Sequence, residues 1–518
     1  MMKKIILNHK FQMLCIVLLT GIFSLRVYTK TVGAITVANP YLETVSWITM
    51  ILGIVLVGVV SYLTLVRKKE IHQVYPIVGL VLGIIFILVI PIYGTPDETF
   101  HFDAAYNLSN RMLGVEPSQT EGKEYRRKCD TEYHVLLFRK NSYRKFGVQF
   151  KGDIDTQLVL ATDRSGGDAN IAAYVIPALG ISLGRLLRLN FPMLSMLGML
   201  FNTMWFVLWM TYALKKIPYG QRILLTVALL PITLQEVNSY SRDNPLLIAS
   251  ILVIVLTLHW HYSEEKIKIS EAIIFVVSAY TLVTVKSALY AYMVLFPLVI
   301  LMKKEWFTGK NKKYALAGLA GIVVLAFLFF VPMHGWDRIY QLLSTESYVE
   351  HLKVYGQAPL YYVMHPVELI IILARTVKKA MWGYILQLVG HGLGWLEVYN
   401  SDKDHWAYII PALLVAIRMK GEDIRIDGRT RVFSVLTGVI GIVFCMLAML
   451  VFWNPKNPAT VDGLQGRYFV PVLLPLFLGL GYWKKPVLKI NLNQYHPILL
   501  AGMGYVIAVN ILRYNVGV

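Results

Sequence analysis

Charge is scarce in this sequence. Only 16% of its 518 residues are Asp, Glu, Lys or Arg, against about a quarter in an ordinary soluble domain. A soluble chain of this length would divide into several domains, each with a charged surface, and that class is excluded. Cysteine is also scarce. Cys15 and Cys445 fall in apolar runs and Cys129 stands alone in a polar stretch, so there is neither a disulfide framework nor a zinc spacing. There is no internal repeat and no polar segment at either end long enough for a soluble domain. Acidic residues number 31 against 50 basic ones. The excess does not point to nucleic acid, because the Lys and Arg sit in short runs between apolar segments ("VRKKE", "LKKIPYGQR", "RMKGEDIRIDGRTR"). That is the pattern of cytoplasmic loops.

Apolar residues fill the space. They make up 56% of the chain, and the mean hydropathy is +0.55. Runs of roughly 18 to 22 residues recur from end to end, each long enough to cross about 30 Å of hydrocarbon. The expectation is an all-α, polytopic transmembrane helical bundle forming one integral-membrane domain over 1–518. The N-terminal apolar run lacks a small-residue cleavage site and reads as the first span. Placing "MMKK" in the cytoplasm gives about thirteen spans: 11–29, 45–65, 75–94, 192–214, 221–238, 244–261, 271–287, 288–302, 314–333, 405–418, 432–453, 467–483 and 496–513. Two large segments then fall on the extracytoplasmic side. The first, 95–191, ends in a re-entrant or interfacial helix at 171–190, which the basic-loop rule keeps from crossing. The second, 334–404, holds "VELIIILARTVKKAMWGYILQLVG", whose Arg375, Lys378 and Lys379 are too costly at the middle of a bilayer. It reads as a second interfacial helix.

Chemistry-bearing residues gather on that outer side. In "TPDETFHFD" Thr95 reads as an N-cap, Pro96 as N1 and Glu98 as N3, a capping box with proline in its favoured place; Asp97 suits the helix dipole. His101 follows Asp97 by four residues and Glu98 by three, so the three share a face. Asp103 points elsewhere, into solvent. Two readings stand: a well-capped helix, or a carboxylate at a low-dielectric boundary tuned by a histidine, which suits a general base. "DGLQGRYFVP" carries Gln465, Arg467 and Tyr468 at a span mouth. Arg467 is either a guanidinium forked onto a phosphate or an arginine snorkelling beside an aromatic belt. In "SYSRDNP", Arg242 and Asp243 are placed to pair. Lys286 is either a phosphate contact or an interfacial anchor. In "GHGLGWLEVYN", His391, Trp395 and Glu397 offer an indole face and polar groups for a sugar, or merely an amphipathic loop.

"PDETFHFDAAYNLSNRMLG", "AAYVIPALGISLGRLLRL", "SRDNPLL", "GWLEVYN" and "LQGRYFVPVLLP" resemble, in order and spacing, the bacterial membrane proteins grouped as domain-of-unknown-function family 2142. The resemblance covers roughly 75–485. "PDE..HF" and "QGRYF.P" are its most specific parts. That family is similar to a branch of the GT-C glycosyltransferases. Two features depart from the pattern: Thr95 stands where a second proline is common, and the acidic pair follows the third span, not the first. The resemblance implies an inverting transferase in the bacterial plasma membrane, with a cytoplasmic N-terminus and an extracytoplasmic site. It would move a sugar from a polyprenyl-phosphate donor, its chain lying in a greasy groove among membrane lipids, to a cell-surface glycan. Asp97 would be the general base, with Glu98 and His101 orienting it or binding a metal. Arg467, with Tyr468, Gln465 and Lys286 or Arg242, would hold the donor phosphate. Trp395, Glu397 and His391 would meet sugar or acceptor. A divalent cation, Mg or Mn, is a candidate cofactor, with Asp97 and Asp243 as its candidate ligands. The rival readings are a flippase, which needs polar residues deep along the spans, and a scaffold for polysaccharide assembly, in which the acidic pair is dispensable.

Overall fold

A computed structural model describes residues 8–33, 40–120, 123–131, 154–161, 171–263, 265–301, 359–399, 402–415, 417–419, 426–454, 458–482 and 492–516. The span expected at 314–333, and the part of the second outer segment before 359, lie outside them.

The chain is an all-α membrane protein. Helices α1 (His9–Gly33), α2 (Pro40–Ser61) and α3 (Ile71–Val89) come first, then α4 (Glu98–Met112). A two-stranded antiparallel hairpin, β1 (Glu124–Arg127) with β2 (Leu158–Ala161), pairs Glu124 with Ala161 and Arg127 with Leu158. It is the one sheet among the described residues and was not expected within 95–191. Next come α5 (Val175–Leu186), α6 (Phe191–Lys216), α7 (Gln221–Leu229), α8 (Pro231–Val237), α9 (Asp243–Tyr262), α10 (Ile269–Thr284) and α11 (Leu295–Leu301). The chain continues through α12 (Pro359–Met364), α13 (Pro366–Leu388), α14 (Asp402–Val415), α15 (Gly428–Phe452), α16 (Val470–Gly481) and α17 (His496–Val516).

Seven described helices are long and apolar enough to cross a membrane; they correspond to α1, α2, α3, α6, α9, α15 and α17. The expected segments 221–238, 271–302 and 467–483 are interrupted, and proline and local geometry explain how. Leu230 precedes Pro231, and a residue before proline is disfavoured in the α region; Leu230 is indeed extended, splitting the segment into α7 and α8. The same effect at Ile90, before Pro91, ends α3 at Val89, short of residue 94. Beyond Thr284 the chain passes through two 3-10 turns, Val285–Ala288 and Ala291–Val294, before α11. Arg467 lies not in a helix but in the 3-10 turn Gly466–Phe469.

Other elements follow local chemistry closely. Asn190 caps α6: its Oδ1 accepts from the Met193 amide at 3.1 Å, with Pro192 in the first turn. Asp427 caps α15 through the Thr430 amide at 2.9 Å. Helices α5 and α6 meet backbone to backbone. A Cβ on Gly180 would lie 2.7 Å from the Gly198 Cα, so the glycines set the approach, as small residues do between membrane helices. At 12 residues, α5 is too short to span a bilayer. The centre is α9, almost wholly buried and packed against α6, α10, α11 and α16. Beside it lies α8, buried at every position. A helix apolar all round belongs in such an interior, and α8 departs from that rule at Gln235 and Glu236.

Candidate active site

Five of the residues singled out by sequence, together with Glu236, converge where helices begin, end or break. Asp97 is the N-cap of α4, Asp243 is the first residue of α9, and Glu236 lies near the end of α8. Lys286 is in the turn after α10, and Arg467 and Tyr468 share the turn before α16. The Arg467 guanidinium reaches the Asp97 carboxylate at 3.1 Å, the Glu236 carboxylate at 3.6 Å and the Pro96 carbonyl at 3.5 Å. Lys286 is ion-paired with Asp243. Both cations lie over the Tyr468 ring, Lys286 Nζ at 4.7 Å from its centroid and Arg467 Cζ at 5.3 Å. The Tyr290 hydroxyl donates to the Tyr468 carbonyl at 2.6 Å and fixes that turn. Three carboxylates thus face two cations; Glu236, Asp243 and Arg467 are buried and Lys286 is half-buried. The exception is Asp97, whose side chain is 64% exposed while that of Arg467 is 5% exposed.

Backbone strain gathers here too. Tyr93, Asp97 and Lys286 all take left-handed conformations, with φ of 64°, 62° and 52°. Non-glycine residues rarely adopt that region, and such departures concentrate at functional sites. The expected capping box is shifted. Asp97, not Thr95, is the N-cap, and its left-handed turn spreads Asp97, Glu98 and His101 instead of stacking them on one face. Glu98 turns inward and is fully buried. Its Oε2 accepts from the Thr95 amide at 3.1 Å and its Oε1 from the Tyr240 amide at 3.3 Å. It therefore ties the Asp97 turn to the turn that presents Asp243. Burial raises its carboxyl to about 7, against the pull of those amides. His101 is buried elsewhere, sharing a 2.7 Å hydrogen bond with the Tyr174 hydroxyl. Burial, with Arg242 nearby, lowers its imidazole to about 4, so it is neutral near pH 7.

Two expected placements are corrected. Asp243 pairs with Lys286, not with Arg242, which is exposed. Asp103 is buried, not solvated: fully buried Arg126, from β1, pairs with both Asp103 and Glu124 and lies 4.8 Å from the Tyr106 ring centroid. Beside it Arg127 pairs with Asp130 at 2.7 Å. The hairpin is thereby fastened to α4. The metal proposal finds no donor set among the described residues. Asp97 and Asp243, its candidate ligands, each lean on a cation, so they do not fit one.

The loop at 390–398 reaches the site through amide side chains. Gln235 accepts from the Gly394 amide at 2.6 Å, and Gln387 accepts from the Gly466 amide at 2.5 Å. A narrow cleft results, lined by Pro96, Gln235, Gly394, Gln465 and Arg467 among others. Gln465 therefore sits with Arg467 as expected. The three candidate sugar contacts carry protein partners. Trp395 donates to the Tyr93 carbonyl at 2.9 Å and Glu397 accepts from the Tyr514 hydroxyl at 3.2 Å. His391 packs edgewise on Tyr399 and His405. Sequence reasoning missed Glu236, Gln235 and Gln387. The available signal was a Gln-Glu pair inside an apolar run, since an ionisable group at such depth is rarely idle.

The profile of a family described as a predicted membrane protein, DUF2142, matches residues 80–476. The chain belongs to the DUF2142 family. No curated protein and no solved structure matches it. The DUF2142 segment opens within α3 and closes within α16, so Asp97, Glu236, Asp243, Lys286 and Arg467 all lie inside it, whereas α1, α2 and α17 lie outside.

Proposed function

We propose that this DUF2142 protein is a GT-C-type inverting glycosyltransferase of the bacterial plasma membrane. It transfers a sugar from a polyprenyl-phosphate donor to a cell-surface glycan on the outer face. One observation carries the reading: the exposed carboxylate of Asp97 and the buried guanidinium of Arg467, 370 residues apart in sequence, meet at 3.1 Å. An acid that can take a proton thereby stands beside a cation that can hold an anion. The acceptor oxygen attacks the anomeric carbon while the bond from that carbon to the phosphate oxygen breaks. The acceptor proton passes to Asp97. The electron pair leaves with the polyprenyl phosphate, whose growing charge Arg467 and Lys286 stabilise. An apolar groove of about 520 Å³ between α3, α5 and α6, lined by Leu80, Ile176, Phe201, Trp205 and Leu208, offers a seat for the prenyl chain. Purified protein in detergent, given membrane extract carrying labelled polyprenyl-phosphate sugars, is expected to consume the donor and release polyprenyl phosphate. Donor unchanged across sugar classes, with the protein monodisperse, would overturn the reading.

The face of the membrane has its own test. Burial pushes the Cys129 thiol up to about 11, so it reacts slowly. Gln119→Cys, at an exposed loop position, with Cys129→Ser is a better reporter. It is expected to be modified in intact cells by an impermeant maleimide. Modification only after the cells are opened would place the site on the cytoplasmic side.

Glu98 acts here as a positioning residue. An ionised carboxylate offers both oxygens to the two amides, whereas a glutamine offers one oxygen and turns an N–H₂ toward the other donor. Glu98→Gln is expected to lower turnover by roughly tenfold, the worth of one hydrogen bond to a charged group. The sign with pH is fixed by the raised carboxyl: ionisation, and with it the tether, is gained as pH rises through about 7. Turnover of the native protein should climb across that range and that of Glu98→Gln should not. An unchanged profile in the variant would remove Glu98 from this role.

A further inference from the structure

Helix α13 (Pro366–Leu388) carries a feature that sugar transfer does not use. At 3.6 residues per turn, Arg375, Lys378 and Lys379 fall within roughly 100° of one another, and all three are exposed. Among the described residues none supplies them with a carboxylate. The side buried in the protein begins at Ile372, next to Lys379, and runs through Thr376 to Tyr384, opposite Arg375. Along one flank between the two runs an exposed apolar strip that includes Val367, 70% exposed, and Ile370, 64% exposed, while Trp382 stands among the cations. The helix thus has three sectors: one against the protein, one suited to hydrocarbon and one suited to anions. It is also held firmly. The Thr376 hydroxyl accepts from the Val461 amide at 2.9 Å, and Gln387 binds Gly466 beside Arg467.

We infer that α13 lies in the membrane interface and binds the phosphodiester headgroups of anionic phospholipids through Arg375, Lys378 and Lys379. The apolar strip takes up the upper part of their acyl chains. Charge selects the occupant. A zwitterionic headgroup leaves three clustered cations uncompensated, while each anionic headgroup brings the missing charge, and each such cation near a membrane surface adds appreciably to that attraction. Helix α13 meets the Gly466–Phe469 turn through its C-terminal end, at Gln387, and the three cations stand about two to three turns before that contact. This inference does not depend on the transfer reaction.

The test uses the purified full chain and native mass spectrometry of lipids retained from mixed phosphatidylglycerol and phosphatidylcholine micelles. The native protein is expected to retain phosphatidylglycerol selectively. The variant Arg375→Gln, Lys378→Gln, Lys379→Gln is expected to lose at least about tenfold of that selectivity. The substituted side chains are all exposed, so the fold should persist, which size-exclusion chromatography checks. Should the triple variant aggregate, Lys378→Gln alone carries the same readout at smaller size. Equal selectivity in variant and native protein would overturn the inference. Displacement of phosphatidylglycerol by inorganic phosphate at comparable concentration would also overturn it, by making this a site for soluble anions.

Discussion

Asp97→Asn is expected to reduce sugar transfer by at least a hundredfold, the lower end of what a positioned general base contributes. The substitution keeps the shape of the side chain and removes its proton affinity. Folding should be unaffected, because the carboxylate is 64% exposed. Arg467 also keeps two other acceptors, at Glu236 and at the Pro96 carbonyl. The left-handed backbone at residue 97 is tolerated by asparagine as well as by aspartate. Donor binding should therefore stay near native while turnover collapses. The measurement is single-turnover transfer in detergent with donor in excess. Full turnover in Asp97→Asn would eliminate the general-base assignment.

The second large effect is expected at Arg467. As an interfacial anchor, Arg467 would need only a positive charge on a long stem, and Arg467→Lys would be nearly neutral. Its surroundings say otherwise. The guanidinium is buried and spans the Asp97 carboxylate, the Glu236 carboxylate and a backbone carbonyl at once. A compact ammonium lacks the planar fork that makes such a span. Loss of one charge-assisted hydrogen bond costs roughly 1.5 to 3 kcal/mol, or about 10- to 150-fold. Arg467→Lys is accordingly expected to weaken use of the lipid-phosphate donor at least tenfold, with unchanged expression. The check is transfer rate against donor concentration. Lysine matching arginine there would leave the donor phosphate without its principal contact.

The membrane class was plain in composition and in the recurrence of apolar runs, and the long helices stand where hydropathy placed them. The breaks were less plain, although Ile90-Pro91 and Leu230-Pro231 are written in the sequence. A hydropathy window averages across a proline and cannot register that the residue before it leaves the α region. At the site, Asp97 and Arg467 were legible because each sits at the edge of an apolar run, where a charge stands out. Their contact was not legible, since nothing local relates positions so far apart. For Glu98 the spacing left two readings, a cap or a partner of Asp97. The fully buried state of Glu98 depends on the Tyr240 amide, 142 residues later. Asp103 was assigned to solvent because helical periodicity turns it away from Asp97 and Glu98. Its partner Arg126 comes from a polar stretch with no periodic signal. Glu236 was hidden by the nonpolar residues around it, although an acid in such company is itself a signal.

The contact between Arg467 and the residues it neutralises has a consequence for biogenesis. A ribosome adds about 5 to 20 residues each second. The 370 residues between Asp97 and Arg467 therefore take roughly 20 to 75 s to synthesise. For most of that time Glu236 has been made and its cation has not. Lys286 appears much sooner after Asp243, so that pair closes early, while the nascent chain carries an uncompensated acid in its future interior. Until the "QGRYF" turn emerges, the half-made protein is chemically distinguishable from the finished one at a single carboxylate. Assembly of the centre is thus a late event in translation, set by the order in which the chain leaves the ribosome.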